Sequence, residues 1–269
     1  MYDVPEGDFI PGIYNYCDRW CERCLYTDRC RTFAMEKVFM RKLEKEKRIE
    51  KSMEENREFW EQVNKTVEEA AELIDEEIPL MKKSPLFEQW DIDDDDIEEA
   101  MKEHEEKRER AENHELSKVA QKYEKAVHKW FEERKETLTV DYNAETKQLK
   151  VSYPGITGEE ELRRLSDAVE VIQWYHIQIW VKMNRALTSL YEEEEDSEFL
   201  EGFPKDSEGS ARVILIGIDS SIGSWNYLLK KLDKERETIK PMIRMLIWMR
   251  IEVEKLFPNA RNFEWPPKA

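Results

Sequence analysis

All four cysteines of the 269-residue chain lie in one short stretch near its start. They are Cys17, Cys21, Cys24 and Cys30, and their spacing is C-x3-C-x2-C-x5-C. Four thiol side chains within 14 residues can reach one centre at little cost in loop-closure entropy. The spacing therefore predicts a metal centre that these four cysteines hold.

The residues alone leave three kinds of chemistry open for this stretch: an iron–sulfur cluster, a structural zinc ion and paired disulfides. Zinc sites usually combine two C-x2-C knuckles that are a dozen or more residues apart, whereas this chain has one C-x2-C and contiguous ligands. Iron–sulfur clusters commonly use compact runs of cysteine. The spacing thus favours a [4Fe–4S] cluster, with zinc as the alternative cofactor.

The residues CERCLYTDRC, with Cys21, Cys24 and Cys30, resemble the end of the iron–sulfur loop of endonuclease III-type DNA glycosylases. They also resemble the cysteine cluster of CRISPR-associated and recombination-type nucleases. In those families such cysteines hold a [4Fe–4S] cluster, so the resemblance implies the same cofactor here. It covers about ten residues and implies no activity.

A broader resemblance covers most of the chain. The segments YCDRWCERC, GSARVILIGID and FPNA are similar to a group of uncharacterised bacterial helical proteins that carry an N-terminal four-cysteine cluster. The spacing from Cys17 to Cys24 also matches the radical-SAM triplet, but the βα barrel which that family implies has no counterpart in the strand pattern of this chain.

A second set of residues forms a candidate polar pocket. Glu170, Gln173 and His176 follow one another at intervals of three in an otherwise apolar stretch, so they share one helical face. Asp219 from the next apolar segment is a candidate fourth member. The alternative is a buried hydrogen-bond network without chemistry.

Charge and hydropathy limit the classes of partner. The chain carries 61 acidic and 43 basic residues, a net charge of −18, so nucleic acid is not expected as a partner. No secretion signal and no membrane-spanning apolar run is evident, which predicts a cytoplasmic protein without a membrane contact. A protein partner is expected through a long helical arm.

The elements that must position these residues are mainly helices. Few glycines and many Glu and Lys favour long helices, and a heptad pattern runs between Ile49 and Ile74. A second long helix is expected from Asp96 to Glu136, and alternating residues around NAETK predict a β-hairpin from Leu138 to Tyr153. The segment RVILIGID is read as helix rather than strand, because its apolar residues continue a helical spacing.

The predicted fold is mainly α, a bundle of about five helices with a long antiparallel helical arm and one small β-hairpin, in one domain. Its parts are an N-terminal arm with the cysteine loop (1–33), a long helical hairpin (34–137), the β-hairpin (138–156), core helices (157–258) and an extended tail (259–269).

The expected function is that of a scaffold or interaction protein whose cysteine loop holds a [4Fe–4S] cluster. The alternatives are an electron-transfer or redox-sensing protein with the same cluster, a structural zinc site, and an enzyme with a pocket around Glu170, His176 and Asp219. Whether the protein is an enzyme stays open at the level of the sequence.

Overall fold

The computed structural model describes residues 7–45, 94–143, 148–195 and 204–265. Within these ranges the α-helices are α1 (Arg31–Lys45), α2 (Asp94–Asn113), α3 (Glu115–Glu132), α4 (Glu159–Glu195), α5 (Asp206–Lys231) and α6 (Arg236–Leu256). The described ranges also contain two strands, β1 (Thr139–Asn143) and β2 (Gln148–Ser152), and several short 3₁₀ turns. The predicted mainly-α fold with one small hairpin is confirmed.

The chain divides into two compact units. One consists of residues 1–9 and 27–104, and the other of residues 10–26 and 105–269. The predicted heptad seam lies outside the described residues, and so do residues 46–93 of the predicted long helical hairpin (34–137).

The second unit is built around four helices, in which α3 packs on α4, α4 on α5, α5 on α6, and α6 on α3. This ring of contacts is a four-helix bundle. Its centre contains fully buried aromatic side chains, and the indole N–H of Trp225 donates to the Tyr123 hydroxyl at 2.9 Å. Such a bond satisfies the polar ends of two large buried side chains, so they cost little desolvation energy.

The helical reading of RVILIGID is correct, since these residues lie inside α5. Gly217 in this stretch allows α4 to approach closely, because a Cβ there would lie 2.9 Å from the Tyr175 ring and 3.3 Å from Ile179. A parallel strand would have needed partners, and in the described ranges the sheet has two antiparallel strands only.

The hairpin pairs Thr139 with Ser152 and Tyr142 with Leu149 in antiparallel register. Strand β2 packs on α4, and the Ser166 hydroxyl accepts a hydrogen bond from the Val151 N–H at 2.9 Å. The hairpin is therefore fixed to the first turns of α4.

The helix predicted from Asp96 to Glu136 is broken at His114, which is a correction to the sequence reading. His114 has an extended backbone, and its ring nitrogen accepts a hydrogen bond from the Leu116 N–H at 3.1 Å, so it caps α3. Burial lowers the pKa of His114, which favours the neutral ring that can accept this bond. Histidine is not among the usual N-cap residues, so the break at His114 could not be predicted from the residue types.

None of the helices in the described ranges has both the length and the apolarity that crossing a bilayer requires.

Candidate functional site

The segment that carries the first three cysteines, residues 10–26, runs along one face of α4. We call residues 10–26 the cysteine segment. Its contacts fall on α4 residues that are three or four positions apart and so share a helical face. These are Asp167, Glu170, Trp174, Gln178, Lys182 and Arg185.

Asp18 makes the densest set of contacts to α4. Its carbonyl oxygen accepts hydrogen bonds from the Trp174 indole at 3.1 Å and from the Gln178 amide at 2.6 Å. Its carboxylate accepts one from the Tyr175 hydroxyl at 2.5 Å and one from the Trp20 N–H at 3.1 Å. Burial and the Asp18 carboxylate together raise the pKa of Tyr175, so this phenol remains a donor at all ordinary pH values.

Trp20 anchors the middle of the segment. Its side chain is 7% exposed and stacks on Trp174 with ring centroids 5.1 Å apart. The Arg23 guanidinium lies 5.1 Å from the centroid of the Trp20 ring and forms ion pairs with Glu170 and with Asp167. The pairing raises the pKa of Arg23. A ring that is buried by stacking and covered by a cation holds this part of the segment in place.

Asn15 marks the opposite end of the contact with α4. Its carbonyl oxygen accepts from Lys182 at 3.4 Å and from Arg185 at 3.3 Å. Arg185 in turn forms a bidentate pair with Asp206 at the start of α5, with bonds of 3.0 and 2.5 Å. The cysteine segment is thus tied to two helices through one arginine.

Tyr16 fixes the segment against the C-terminal residues. Its ring packs edge-on against Phe263 at 4.9 Å and against Trp265 at 5.3 Å. Gly209 on α5 lies beneath it, and a Cβ there would come within 2.3 Å of the Tyr16 ring. The Trp265 indole donates to the Pro11 carbonyl at 3.0 Å, so the two ends of this unit hold each other.

The backbone turns sharply between the first and second cysteines. Arg19 has a φ of 56°, a left-handed conformation that is uncommon outside glycine. The Cys21 N–H then donates to the Arg19 carbonyl, and a 3₁₀ turn covers Cys21–Arg23. The Cys24 N–H donates to the Cys21 carbonyl at 3.3 Å, which closes the turn, and the backbone becomes extended at Cys24.

None of the four cysteines forms a disulfide. The Cys17 thiol donates to the Tyr14 carbonyl at 3.5 Å, and burial raises the pKa of Cys17 although Lys182 and Arg19 oppose the shift. Cys24 differs, because its sulfur accepts a hydrogen bond from the Tyr26 N–H at 3.4 Å.

The described residues contain no assembled metal site. Within the described residues no three side chains of His, Cys, Asp or Glu are grouped so that they could hold a metal ion. Cys17, Cys21 and Cys24 belong to one compact unit and Cys30 to the other.

Two residues of the candidate polar pocket, Glu170 and Gln173, do share a cavity. Its volume is about 240 Å³, and its walls come from the cysteine segment, the hairpin and α4. Three aromatic rings line it, those of Trp20, Trp174 and Tyr142. Glu22 and Leu149 complete the lining.

The other two candidate residues have different surroundings. The Nδ1 atom of His176 lies 2.8 Å from the Gln173 carbonyl of its own helix, and burial lowers the pKa of His176. Asp219 forms ion pairs with Arg261 at 2.6 Å and Arg250 at 3.3 Å. His176 and Asp219 do not line the cavity with Glu170.

Sequence reasoning missed Asp18 as the main anchor and the role of Lys182 and Arg185. A signal for the α4 face did exist. Polar residues recur at intervals of three and four, from Asp167 to Arg185, through a helix that is otherwise apolar, and this spacing marks one face that needs polar partners.

No protein-family model, curated protein or solved structure matches this chain, so its resemblance to any known cysteine loop stays a prediction.

Proposed function

We propose that this protein is a helical scaffold or interaction protein whose N-terminal cysteines bind a [4Fe–4S] cluster. The ligands are Cys17, Cys21, Cys24 and Cys30. One observation carries the proposal: all the cysteines of the chain lie within 14 residues, and the backbone before and between the first three is held on α4. Zinc is the alternative metal.

The held backbone supports the proposal because it reduces the entropy that metal binding must remove. Asp18 and Trp20 flank Arg19 and are already fixed on α4, so the positions of Cys17 and Cys21 vary little before any metal arrives. A metal centre would then link this segment to the residues that follow Cys24. The metal centre would therefore stabilise a cysteine segment that is already docked on α4.

The thiol environments predict that metal binding releases protons. Metal ligands are thiolates, and the raised pKa of Cys17 keeps it protonated in the metal-free chain. We therefore expect the metal affinity to rise with pH. Lys182 and Arg19, which lower the pKa of Cys17, would stabilise the bound thiolate.

The role of the centre is tested with Cys24→Ser and the neighbouring control Leu25→Ala, a residue that is 90% exposed. Protein is purified without oxygen, and thermal unfolding is measured before and after removal of metal by a chelator. A structural centre predicts that chelation lowers Tm by at least about 5 °C in the wild type and in Leu25→Ala. Cys24→Ser should match the stripped wild type.

Two results would contradict parts of the proposal, one the scaffold role and the other the iron–sulfur assignment. If Cys24→Ser keeps the wild-type Tm while a reversible redox signal disappears, the scaffold role is wrong and electron transfer or redox sensing takes its place. If the protein is colourless and carries one zinc per chain, the iron–sulfur assignment is wrong.

A further inference from the structure

None of the four cysteines lines the cavity of about 240 Å³ beside the cysteine segment. Its walls combine aromatic rings with carboxylates. The rings belong to Trp20, Tyr142 and Trp174, and the carboxylates to Glu22 and Glu170.

The two carboxylates differ in their partners. Glu170 is paired with Arg23, which also lies over the Trp20 ring. Glu22 is exposed, and no ion pair joins it to any residue in the described ranges. The cavity thus has one carboxylate whose charge an incoming cation could neutralise, in a chain whose net charge of −18 attracts cations.

The aromatic lining favours the same class of ligand. An aromatic face carries a partial negative charge and attracts an organic cation. Tyr142 lines the cavity and is 63% exposed, and its cross-strand partner is Leu149. A ligand can therefore enter past Tyr142 and Glu22 and place its apolar surface against the rings.

The size of the cavity restricts the ligand to a small group. An apolar cavity of about 150 Å³ is enough to hold benzene, whereas drug-sized ligands occupy about 300 Å³ or more. The intermediate volume suits a trimethylammonium group.

We propose that this cavity binds an organic cation of the trimethylammonium type, with the positive charge between Glu22 and the rings of Tyr142 and Trp174. The ligand is either a free small molecule or the side chain of a trimethylated lysine on a partner peptide. This inference is independent of the metal, since none of the four cysteines lines the cavity.

The test compares choline with 3,3-dimethylbutan-1-ol, which has the same shape but carries carbon in place of the charged nitrogen. Binding to the full chain is followed by NMR titration and by tryptophan fluorescence. We expect choline to bind with a Kd on the order of 1 mM and the neutral analogue to bind at least about tenfold more weakly. Equal binding of the two, or no binding of choline at 20 times that concentration (about 20 mM), overturns the proposal.

Two variants locate the site. Glu22→Gln should weaken choline about threefold and Tyr142→Ala by a similar factor. The matched control is Glu252→Gln at a second cavity of about 230 Å³, where Glu252 is paired with Lys255 and both line the wall. The control should bind choline as the wild type does, and loss of binding in the control but not in Glu22→Gln would contradict the assignment.

A peptide with one trimethyllysine and its unmethylated counterpart distinguish the two sources of the cation. Tighter binding of the methylated peptide than of choline assigns the cavity to a protein partner. Equal or weaker binding assigns it to a free small molecule. Stronger binding of the unmethylated peptide would contradict a site that selects trimethylammonium.

Discussion

At the scale of single residues, the position of the cysteine segment depends mainly on Asp18. Its carbonyl and carboxylate together contact three residues of α4 and Trp20, and the Tyr175 phenol it accepts from is 5% exposed. Removal of the carboxylate leaves a buried hydroxyl without its acceptor, and an unsatisfied buried donor is more costly than a lost bond at the surface.

We therefore predict that Asp18→Ala lowers the free energy of unfolding by about 1–3 kcal/mol. Urea unfolding followed by tryptophan fluorescence measures this, because Trp20 and Trp174 report on the docked segment. Asp141→Ala on the exposed strand β1 is the control and should change the free energy by less than about 0.5 kcal/mol. Equal effects of the two variants would show that Asp18 is not an anchor.

Glu208 is a second residue whose burial should affect stability, in this case through its dependence on pH. Its side chain is 8% exposed, one oxygen accepts from Asn259, and the other has no hydrogen-bond partner in the described ranges. Burial raises the pKa of Glu208. The folded-state pKa is above the unfolded value of about 4.3, so the folded state favours the protonated carboxyl. The stabilisation that this gives is fully present below the unfolded-state pKa and is lost as pH rises through the folded-state pKa.

Glu208→Gln, which stays neutral, should therefore be more stable than the wild type at pH 7, with a difference that shrinks toward pH 4. Thermal unfolding across this pH range measures it. Glu237→Gln is the contrasting variant, since pairing with Lys240 lowers the pKa of Glu237 and predicts the opposite sign. A pH-independent difference for Glu208→Gln would contradict the burial effect.

At the scale of elements, local pattern was enough to predict the helices around the core and the hairpin. Alternation on either side of NAETK gave β1 and β2, and apolar spacing placed RVILIGID in α5. The break at His114 was missed because the cap is a histidine ring. The docking of the cysteine segment was missed for another reason: Asp18 and Tyr175 are 157 residues apart, and no local signal connects them.

The glycines of α5 provide a test of that docking. A Cβ at Gly209 would lie 2.3 Å from the Tyr16 ring and 2.8 Å from Phe263, whereas nothing lies within 4 Å of one at Gly223. We predict that Gly209→Ala lowers the free energy of unfolding by about 1–3 kcal/mol. Gly223→Ala should raise it by about 0.5–1 kcal/mol, because alanine is the better helix former.

Urea unfolding of both variants measures this difference. Gly209→Ala should also increase proteolysis before residue 17, since the ring that must move belongs to the docked segment. If both variants are stabilised, Tyr16 does not pack on Gly209.

At the scale of the whole molecule, the described structure is a helical bundle that holds a cysteine-rich segment. The sequence predicts a ligand set for a metal, four cysteines within 14 residues, and this ligand set stays a prediction. The cavity could be predicted only in part: Glu170 and Gln173 share it, but Trp20, Glu22 and Tyr142 come from distant parts of the chain. His176 and Asp219 were predicted to belong to the same pocket, but His176 contacts the Gln173 carbonyl and Asp219 pairs with Arg261.

The proposed function depends most on the presence of the metal centre. The most direct measurement is the iron and sulfide content per chain of protein purified without oxygen, for the wild type and for Cys24→Ser. The proposed centre predicts about four iron and four sulfide per wild-type chain, with broad visible absorbance, and a marked loss of both in Cys24→Ser. Wild-type protein with neither iron nor zinc at stoichiometric levels, or with a metal content that Cys24→Ser leaves unchanged, would contradict it.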